Sequence, residues 1–282
     1  MRQPFLYIFL TVLRGLGYAF TMEVIRSKDN PKVKRFALLH DRKKAAKEGL
    51  VFIEGTRICE DALLSGVEPV SFVYSEEKEK LANEWIERYG ISCEIVCVTS
   101  ECFTKIASTV NPQGVALITK IPEMSRELPF REDHKDIFVV LENLQDPGNL
   151  GTIIRLADAF DFNAVIMTRD CADPYNEKVL RSSMGSVWHI PLITFEDSGK
   201  ILDTLDQHGV DTIACELHGD DLKSADLRLP AAYLIGNEGK GLKDETIKRC
   251  SRKIKIPMPG KAESLNAASA ASIIGYVLAS LR

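Results

Sequence analysis

Three short stretches hold the side chains best suited to chemistry. NLQDPGNLGTIIR, from Asn143 to Arg155, presents an amide at Asn149 and a guanidinium at Arg155. LIGNEGKGL, from Leu234 to Leu242, sets Glu238 and Lys240 among three glycines. IPMPGKAESLNAASAA, from Ile256 to Ala271, delivers Ser264 and Asn266 into a run of Ala and Ser. An amide, a carboxylate, a guanidinium and a hydroxyl together can grip a phosphate or a ribose and steady negative charge on an oxygen.

Taken singly, each stretch is turn chemistry. Pro147-Gly148 forces a turn and opens a helix, whose free N–H groups can hold an anion or a ribose. The glycines around Glu238 permit positive φ and close approach of a ligand to the backbone. The pattern is neither a Walker loop nor GxGxxG, so it signals neither a nucleoside triphosphate nor a dinucleotide. Ser264 suits a helix N-cap. Asn266 then falls inside the first turn, where Asn is a mediocre helix former. The small residues from Ala267 to Ser272 leave a smooth face for an unusually tight crossing by another segment or subunit.

The elements around these stretches decide whether they meet. Short apolar runs at Ile137 to Leu141, Ala164 to Thr168, Pro191 to Thr194, Thr212 to Cys215, Tyr233 to Ile235 and Lys253 to Ile256 alternate with helical patterns. That rhythm predicts an α/β fold with a mostly parallel sheet covered on both faces. Ligands of such sheets collect beyond the carboxyl ends of the strands, where all three stretches lie. A shared pocket is therefore expected.

Ahead of this block, residues 22–119 alternate apolar runs with helical patterns and read as a small α/β domain. The proline- and charge-bearing stretch 120–136 reads as a linker. Residues 1–21 have a charged start and an apolar run too short to span a bilayer, interrupted by Arg14. No small-x-small cleavage site follows clearly, and Met22 opens a sequence of ordinary cytosolic character, so 1–21 is expected to be a mis-started or poorly ordered tail.

At 282 residues and 45% hydrophobic content, the chain can bury a substantial core. Its formal charge of −4 conceals a polarised segment from Arg26 to Lys47, with nine basic residues against two acids, a net of +7. Lys32, Lys34, Arg35, Arg42, Lys43 and Lys44 are its phosphate-binding candidates; a solvated helix face is the plainer reading. The seven cysteines contain no CxxC pair and read as reduced, buried thiols of a cytoplasmic protein. The five histidines are scattered without ligand or triad spacing, and no metal is implied.

In residues and in order, DPGNLGTIIR, LIGNEGKGL and IPMPGKAESLNAASAA closely resemble the three motifs of the SpoU (TrmH-type) branch of the SPOUT RNA 2′-O-ribose methyltransferases. The match runs over Asp136 to Arg282. The first block resembles that family's substrate-binding domain of ribosomal protein L30e type, through FIEGTRICEDALLSG and the turn Asn111 to Gly114. The resemblance implies a methyltransferase domain over 137–282, closed by a deep trefoil knot that binds S-adenosyl-L-methionine, in a homodimer acting on RNA. It implies cofactor contacts around Leu234, Gly236, Ile256 and Leu265. Asn149, Arg155, Glu238, Ser264 and Asn266 fall on the family's catalytic and substrate-orienting positions. Ala267 stands where a valine is frequent.

In the family the matching arginine is proposed as general base, yet a guanidinium with pKa above ~12 accepts a proton poorly. Arg155 is better read as a clamp on the RNA phosphate that also stabilises the developing alkoxide, with Asn149 and Glu238 orienting it and the ribose. A 2′-hydroxyl target requires RNA and excludes DNA. The appended first domain favours large-subunit rRNA by analogy. A transfer-RNA methyltransferase, a non-catalytic RNA-binding or ribosome-assembly factor of the same fold, and an ordinary nucleotide-binding α/β enzyme remain the alternatives.

Overall fold

The computed structural model describes residues 23–122 and 127–282, without the Arg42 side chain. The expected tail, 1–21, lies outside them. Two compact units divide between Ile121 and Pro122.

The first unit opens with helix α1 (Pro31–Leu38), set by Pro31 in its first turn and by the Asn30 side chain, which accepts from the Lys32 N–H. Helix α2 (Arg42–Glu48) ends on Gly49 in the left-handed conformation, φ 65°. Then follow β1 (Leu50–Glu54), α3 (Thr56–Leu64), β2 (Pro69–Ser75), α4 (Glu79–Arg88), β3 (Glu94–Val98), α5 (Ser100–Ile106) and β4 (Val115–Lys120). The sheet runs β1-β4-β2-β3, antiparallel except between β2 and β3. Val33, Phe36, Phe52, Val73, Phe103 and Ile118 form much of one buried cluster.

The second unit comprises β5 (Ile137–Leu141), α6 (Pro147–Ala159), β6 (Ala164–Thr168), α7 (Glu177–Ser183), β7 (Leu192–Phe195), α8 (Ser198–Gln207), β8 (Asp211–Asp221), β9 (Ala231–Ile235), α9 (Asp244–Arg249), β10 (Arg252–Lys255) and α10 (Ala267–Ala279). Its six strands are all parallel, in the order β10-β8-β9-β5-β6-β7. Every residue of β5, β6 and β9 is buried. That is the consequence of covering a parallel sheet on both faces, and it explains why these strands read as unbroken apolar runs. One face packs Phe138, Val140, Ile166 and Ile193 against Ile201 and Leu205 of α8. Leu128 and Phe130 join this cluster, and the Phe130 ring stacks on His208 at 4.6 Å. Much of the stretch expected to link the two blocks is thus part of the second unit's packing.

The other face carries α6 and α10. From β10 at the sheet's edge, the chain returns through residues 256–266 to lay α10 against β9, β5 and α6. Small residues make that contact possible. The Tyr233 hydroxyl donates to the carbonyl of Ala271 at 3.2 Å, and a Cβ on Gly275 would stand 3.0 Å from both Tyr233 and Phe162. The tight crossing expected of the Ala/Ser run is made here, on the helix's own sheet. At the far end of α10, the Arg282 guanidinium donates to the carbonyls of Asp161 and Lys135, locking the helix to the sheet's amino-terminal edge.

Helix α6 is pressed equally closely to α7. A Cβ on Gly151 would meet the Ser182 hydroxyl at 2.0 Å and the Val179 carbonyl oxygen at 2.7 Å. Backbone cannot yield as a side chain can. Gly151→Ala is therefore expected to lower stability by about 1–3 kcal/mol in chemical denaturation, by forcing the two helices apart.

Candidate active site

The loops beyond β5 and β9 and the loop entering α10 meet at the carboxyl edge of the second unit's sheet. The first is shaped by Asp146, the N-cap of α6, whose carboxylate accepts from the Asn149 N–H at 2.8 Å, with Pro147 in the first turn. That hydrogen bond, followed by the ion pair to Lys178, holds the Asp146 carboxyl below its usual range. Asn143 sits at φ 54°, a left-handed conformation that Asn tolerates better than most residues.

The second loop closes on itself through Asn237, a residue the sequence did not single out. Its backbone exchanges hydrogen bonds with Gly241, at 3.1 and 2.8 Å, and its side-chain oxygen accepts from the N–H groups of Gly239 and Lys240. Its amide nitrogen reaches the first loop, donating to the Asn143 carbonyl at 2.9 Å. Gly236 is glycine because the loop returns over it. A Cβ there would lie 2.1 Å from the Gly241 carbonyl carbon. The close approach expected of a ligand is made at this position by the loop's own backbone.

Glu238 and Asn266 complete the join. The Glu238 carboxylate accepts from the N–H groups of Gln145 and Asp146, at 3.1 and 2.9 Å, and from the Asn149 amide at 3.1 Å. Asn266 in turn donates to the Asn149 side-chain oxygen at 2.8 Å. Asn266 is also the N-cap of α10, accepting from the N–H groups of Ala268 and Ser269. The N-cap expected at Ser264 is thus two residues later. Asn satisfies the orphan donors of a helix start as well as Ser does, and Ser264 is left exposed on the loop.

Arg155 stands apart from this group. It is exposed on α6, and six residues from Asn149 carry it about 120° round the helix axis. No hydrogen bond or ion pair to it is seen among the described residues. Asn149 and Glu238, expected to orient Arg155, bond to each other and to the loops instead.

Beside the joined loops lies a cavity of about 500 Å³. Gly236, Ile256, Leu265, Ser264 and Glu238 line it. Leu234, expected among the cofactor contacts, is wholly buried in the apolar cluster beneath and does not line it. Apolar Ile256, Leu265 and Ile274 share the lining with charged Glu238, Asp244 and Lys255, and the volume suits a small organic cofactor that has both apolar and charged parts. Behind the loops, the Glu142 carboxylate, 1% exposed, accepts from the Lys243 N–H at 2.8 Å, from Thr246 at 2.7 Å and from Ser198. It ties the end of β5 to the starts of α8 and α9, and only folding reveals it. Among the described residues no cluster of three or more His, Cys, Asp or Glu could hold a metal ion.

In the first unit, the basic segment is less bare than its charge suggested. Lys32 pairs with Glu94 at 2.8 Å, Arg35 with Glu48 at 3.0 Å, Lys34 with Asp29 at 2.7 Å and Lys44 with Asp41 at 3.7 Å. Glu48 and Glu94 lie outside the segment from Arg26 to Lys47. Such exposed pairs are worth about 1 kcal/mol or less, so they leave these cations open to a phosphate. Lys43 is exposed beside them. The cysteines are free, but Cys93, Cys171 and Cys215 are only half-buried.

Comparison with known proteins gives a consistent result. A model of the SpoU rRNA methylase family matches residues 136–276, and one of the MRM3-like substrate binding domain matches 30–117. The chain is 32% identical to the 23S rRNA (guanosine(2553)-2'-O)-methyltransferase RlmP of Bacillus subtilis, over 91% of this chain and 99% of that one. It is 30% identical to the 23S rRNA (uridine(2479)-2'-O)-methyltransferase of Streptomyces viridochromogenes, over 85% and 86%. Among solved structures, the AdoMet-bound rRNA methyltransferase from Sinorhizobium meliloti superposes with a TM-score of 0.80 at 29% identity, covering 91% of this chain and 97% of its own.

The Glu238 contacts carry a pH signature. Burial pushes its carboxyl up, but the hydrogen bonds from Asp146, Asn149 and Gln145 outweigh burial and hold it below its ordinary value of 4.5. A lowered folded value means that the contribution to stability is complete above the unfolded pKa and is lost as pH falls through the folded one. Glu238→Gln is expected to be less stable than the parent at neutral pH, with the difference shrinking on acidification. Denaturation midpoints between about pH 3 and 7 test this.

Proposed function

The chain belongs to the SpoU rRNA methylase family, and we propose that its three joined loops form the site at which a methyl group is passed to a ribose 2′-hydroxyl of large-subunit rRNA. The activity is S-adenosylmethionine-dependent RNA 2′-O-methylation. The observation that carries the placement of the site is the hydrogen-bonded series Glu238–Asn149–Asn266 beside the cavity of about 500 Å³. The Bacillus subtilis and Streptomyces viridochromogenes relatives are named for a guanosine and a uridine, which fits a site that grips sugar and phosphate rather than one base.

Gly236, Ile256 and Leu265 would hold the cofactor from the cavity wall. Bound there, S-adenosylmethionine supplies a methyl group already attached to a good leaving group. The protein's task is then alignment and relief of charge on the attacking oxygen. Asn149, its amide fixed at both ends, and Glu238 position the ribose. Ser264, exposed on the cavity rim, is free to donate to it. Arg155 clamps the RNA phosphate and stabilises the developing alkoxide, and the proton leaves through that phosphate or water.

Residues 137–282 are read as the methyltransferase domain, and the return of the chain from β10 to α10 supports a knotted final segment. Residues 22–119 are read as the substrate-binding domain, meeting RNA through Lys32, Lys34, Arg35, Arg42, Lys43 and Lys44. A homodimer is supported by the outward face of α10, where Ile273 is 40% and Tyr276 66% exposed. Free thiols suit the reducing cytoplasm. No helix among the described residues is long and apolar enough to cross a membrane.

Incubating the protein with S-adenosylmethionine and unmethylated large-subunit rRNA should yield one new 2′-O-methyl nucleotide. Transfer to transfer RNA alone, or cofactor binding without transfer, would overturn the rRNA assignment or the catalytic one respectively. Arg155→Lys is expected to weaken RNA binding while retaining single-turnover methylation, whereas loss of the chemical step at saturating RNA would identify Arg155 as the base.

A further inference from the structure

A second basic stretch lies in the second unit. From Lys240 to Lys255, seven basic residues stand against Asp244 and Glu245, a net of +5 in a chain whose formal charge is −4. The stretch covers the end of the second loop, α9 and the edge strand β10.

Part of this charge has a local explanation. Lys248 and Arg249 fall in the last turn of α9, and Asp244 and Glu245 in its first, the arrangement a helix dipole favours. Arg249 pairs with Asp203 at 2.6 Å and Arg252 with Asp211 at 3.2 Å. Lys253 and Lys255 lie on the last strand of the sheet, where lysines discourage pairing with another chain.

The remainder is not explained locally. Lys243 stands at the N-cap of α9, where its side chain caps nothing and its charge opposes the dipole. Lys240, Lys243, Lys253 and Lys255 are all exposed, and no ion pair to any of them is seen among the described residues. In the first unit, by contrast, Lys32, Lys34, Arg35 and Lys44 each have an acidic partner. Lys240 and Lys255 both line the cavity. Lys243 follows the one by three residues, and Lys253 precedes the other by one strand repeat, about 7 Å along β10. Four unpaired ammonium groups that extend to the edge of a cavity suit a polyanion, since a single carboxylate would need only one of them.

We propose that Lys240, Lys243, Lys253 and Lys255 form a phosphate track by which the second unit grips the RNA strand next to the target ribose, in addition to the contacts of the first unit. This rests on the reading of the joined loops as the methyl-transfer site.

Binding of unmethylated large-subunit rRNA to the full chain and to the double variant Lys243→Gln/Lys253→Gln, measured over a range of salt concentrations, tests the track. Neither position lines the cavity. The double variant is expected to bind about tenfold more weakly at low salt, with the slope of log affinity against log salt shallower by about 2. Lys243→Arg/Lys253→Arg keeps the charge and should bind as the parent does. In turnover the KM for RNA rises in the glutamine variant, and the KM for S-adenosylmethionine does not. RNA affinity within about twofold of the parent and an unchanged salt slope would overturn the track; self-association of that variant would then mark the lysines as guards of the strand edge. An equal loss of S-adenosylmethionine affinity in calorimetry would also overturn it, by assigning the lysines to the cofactor. Failure of the parent itself to transfer a methyl group to the RNA would instead overturn the reading of the loops.

Discussion

One planar amide holds the site together. The Asn149 nitrogen donates to Glu238, 89 residues away in sequence, and its oxygen accepts from Asn266, 117 residues away. Its two ends are chemically opposite, a donor and an acceptor. Turning the amide over would set its oxygen against a carboxylate and its N–H₂ against another N–H₂, so both contacts fix a single orientation. Aspartate or leucine at this position could satisfy at most one of the two neighbours. The polar groups of three loops are thereby set relative to one another before any substrate arrives, which is the condition under which aligned groups are most effective.

That junction exists because of the sheet beneath it. Six parallel strands place all their carboxyl ends on one edge, and β5 and β9 are immediate neighbours. The loops that leave them are then close enough for Asn237 to reach the Asn143 carbonyl and for Glu238 to reach the N–H groups of Gln145 and Asp146. Glu142 closes the same edge from inside, with hydroxyl and backbone donors on its carboxylate and almost no water. Helices α6 and α10 bring in the third loop, and α10 can lie so near α6 and the sheet because Ala271 and Gly275 carry little or no side chain at their contacts.

Much of this was legible in the sequence because the signals were local. Runs such as IFVVL and AVIMT announce strands buried on both faces, and the polar stretches after them announce loops at one edge. What escaped was set by distance. Asn266 looked misplaced within a helix that Ser264 would cap, and its role as cap emerges only once its amide is also seen to reach Asn149. Gly236 reads in sequence only as a loop glycine, and that its Cβ side is taken by the Gly241 backbone emerges from the folded loop. The net charge of the Arg26 to Lys47 window overstated its field, because Glu48 and Glu94 fold back onto it. Glu142 gave no sequence signal at all, since its partners are remote along the chain, and Asn237, which closes its own loop through neighbouring N–H groups, reaches the Asn143 carbonyl only once β9 lies beside β5.

The order of strands also bears on how the protein is made. Strand β5 is synthesised early in the second unit, but one of its two neighbours, β9, follows only after β6, β7 and β8 have appeared. Helix α10, which covers the same strands, is translated later still, after β10. On the ribosome, therefore, β5 and β6 can pair while one apolar flank of β5 still lacks its partner and its cover. The nascent second unit cannot close until β9 and α10 have left the exit tunnel, so its exposed strand edge persists through most of its translation.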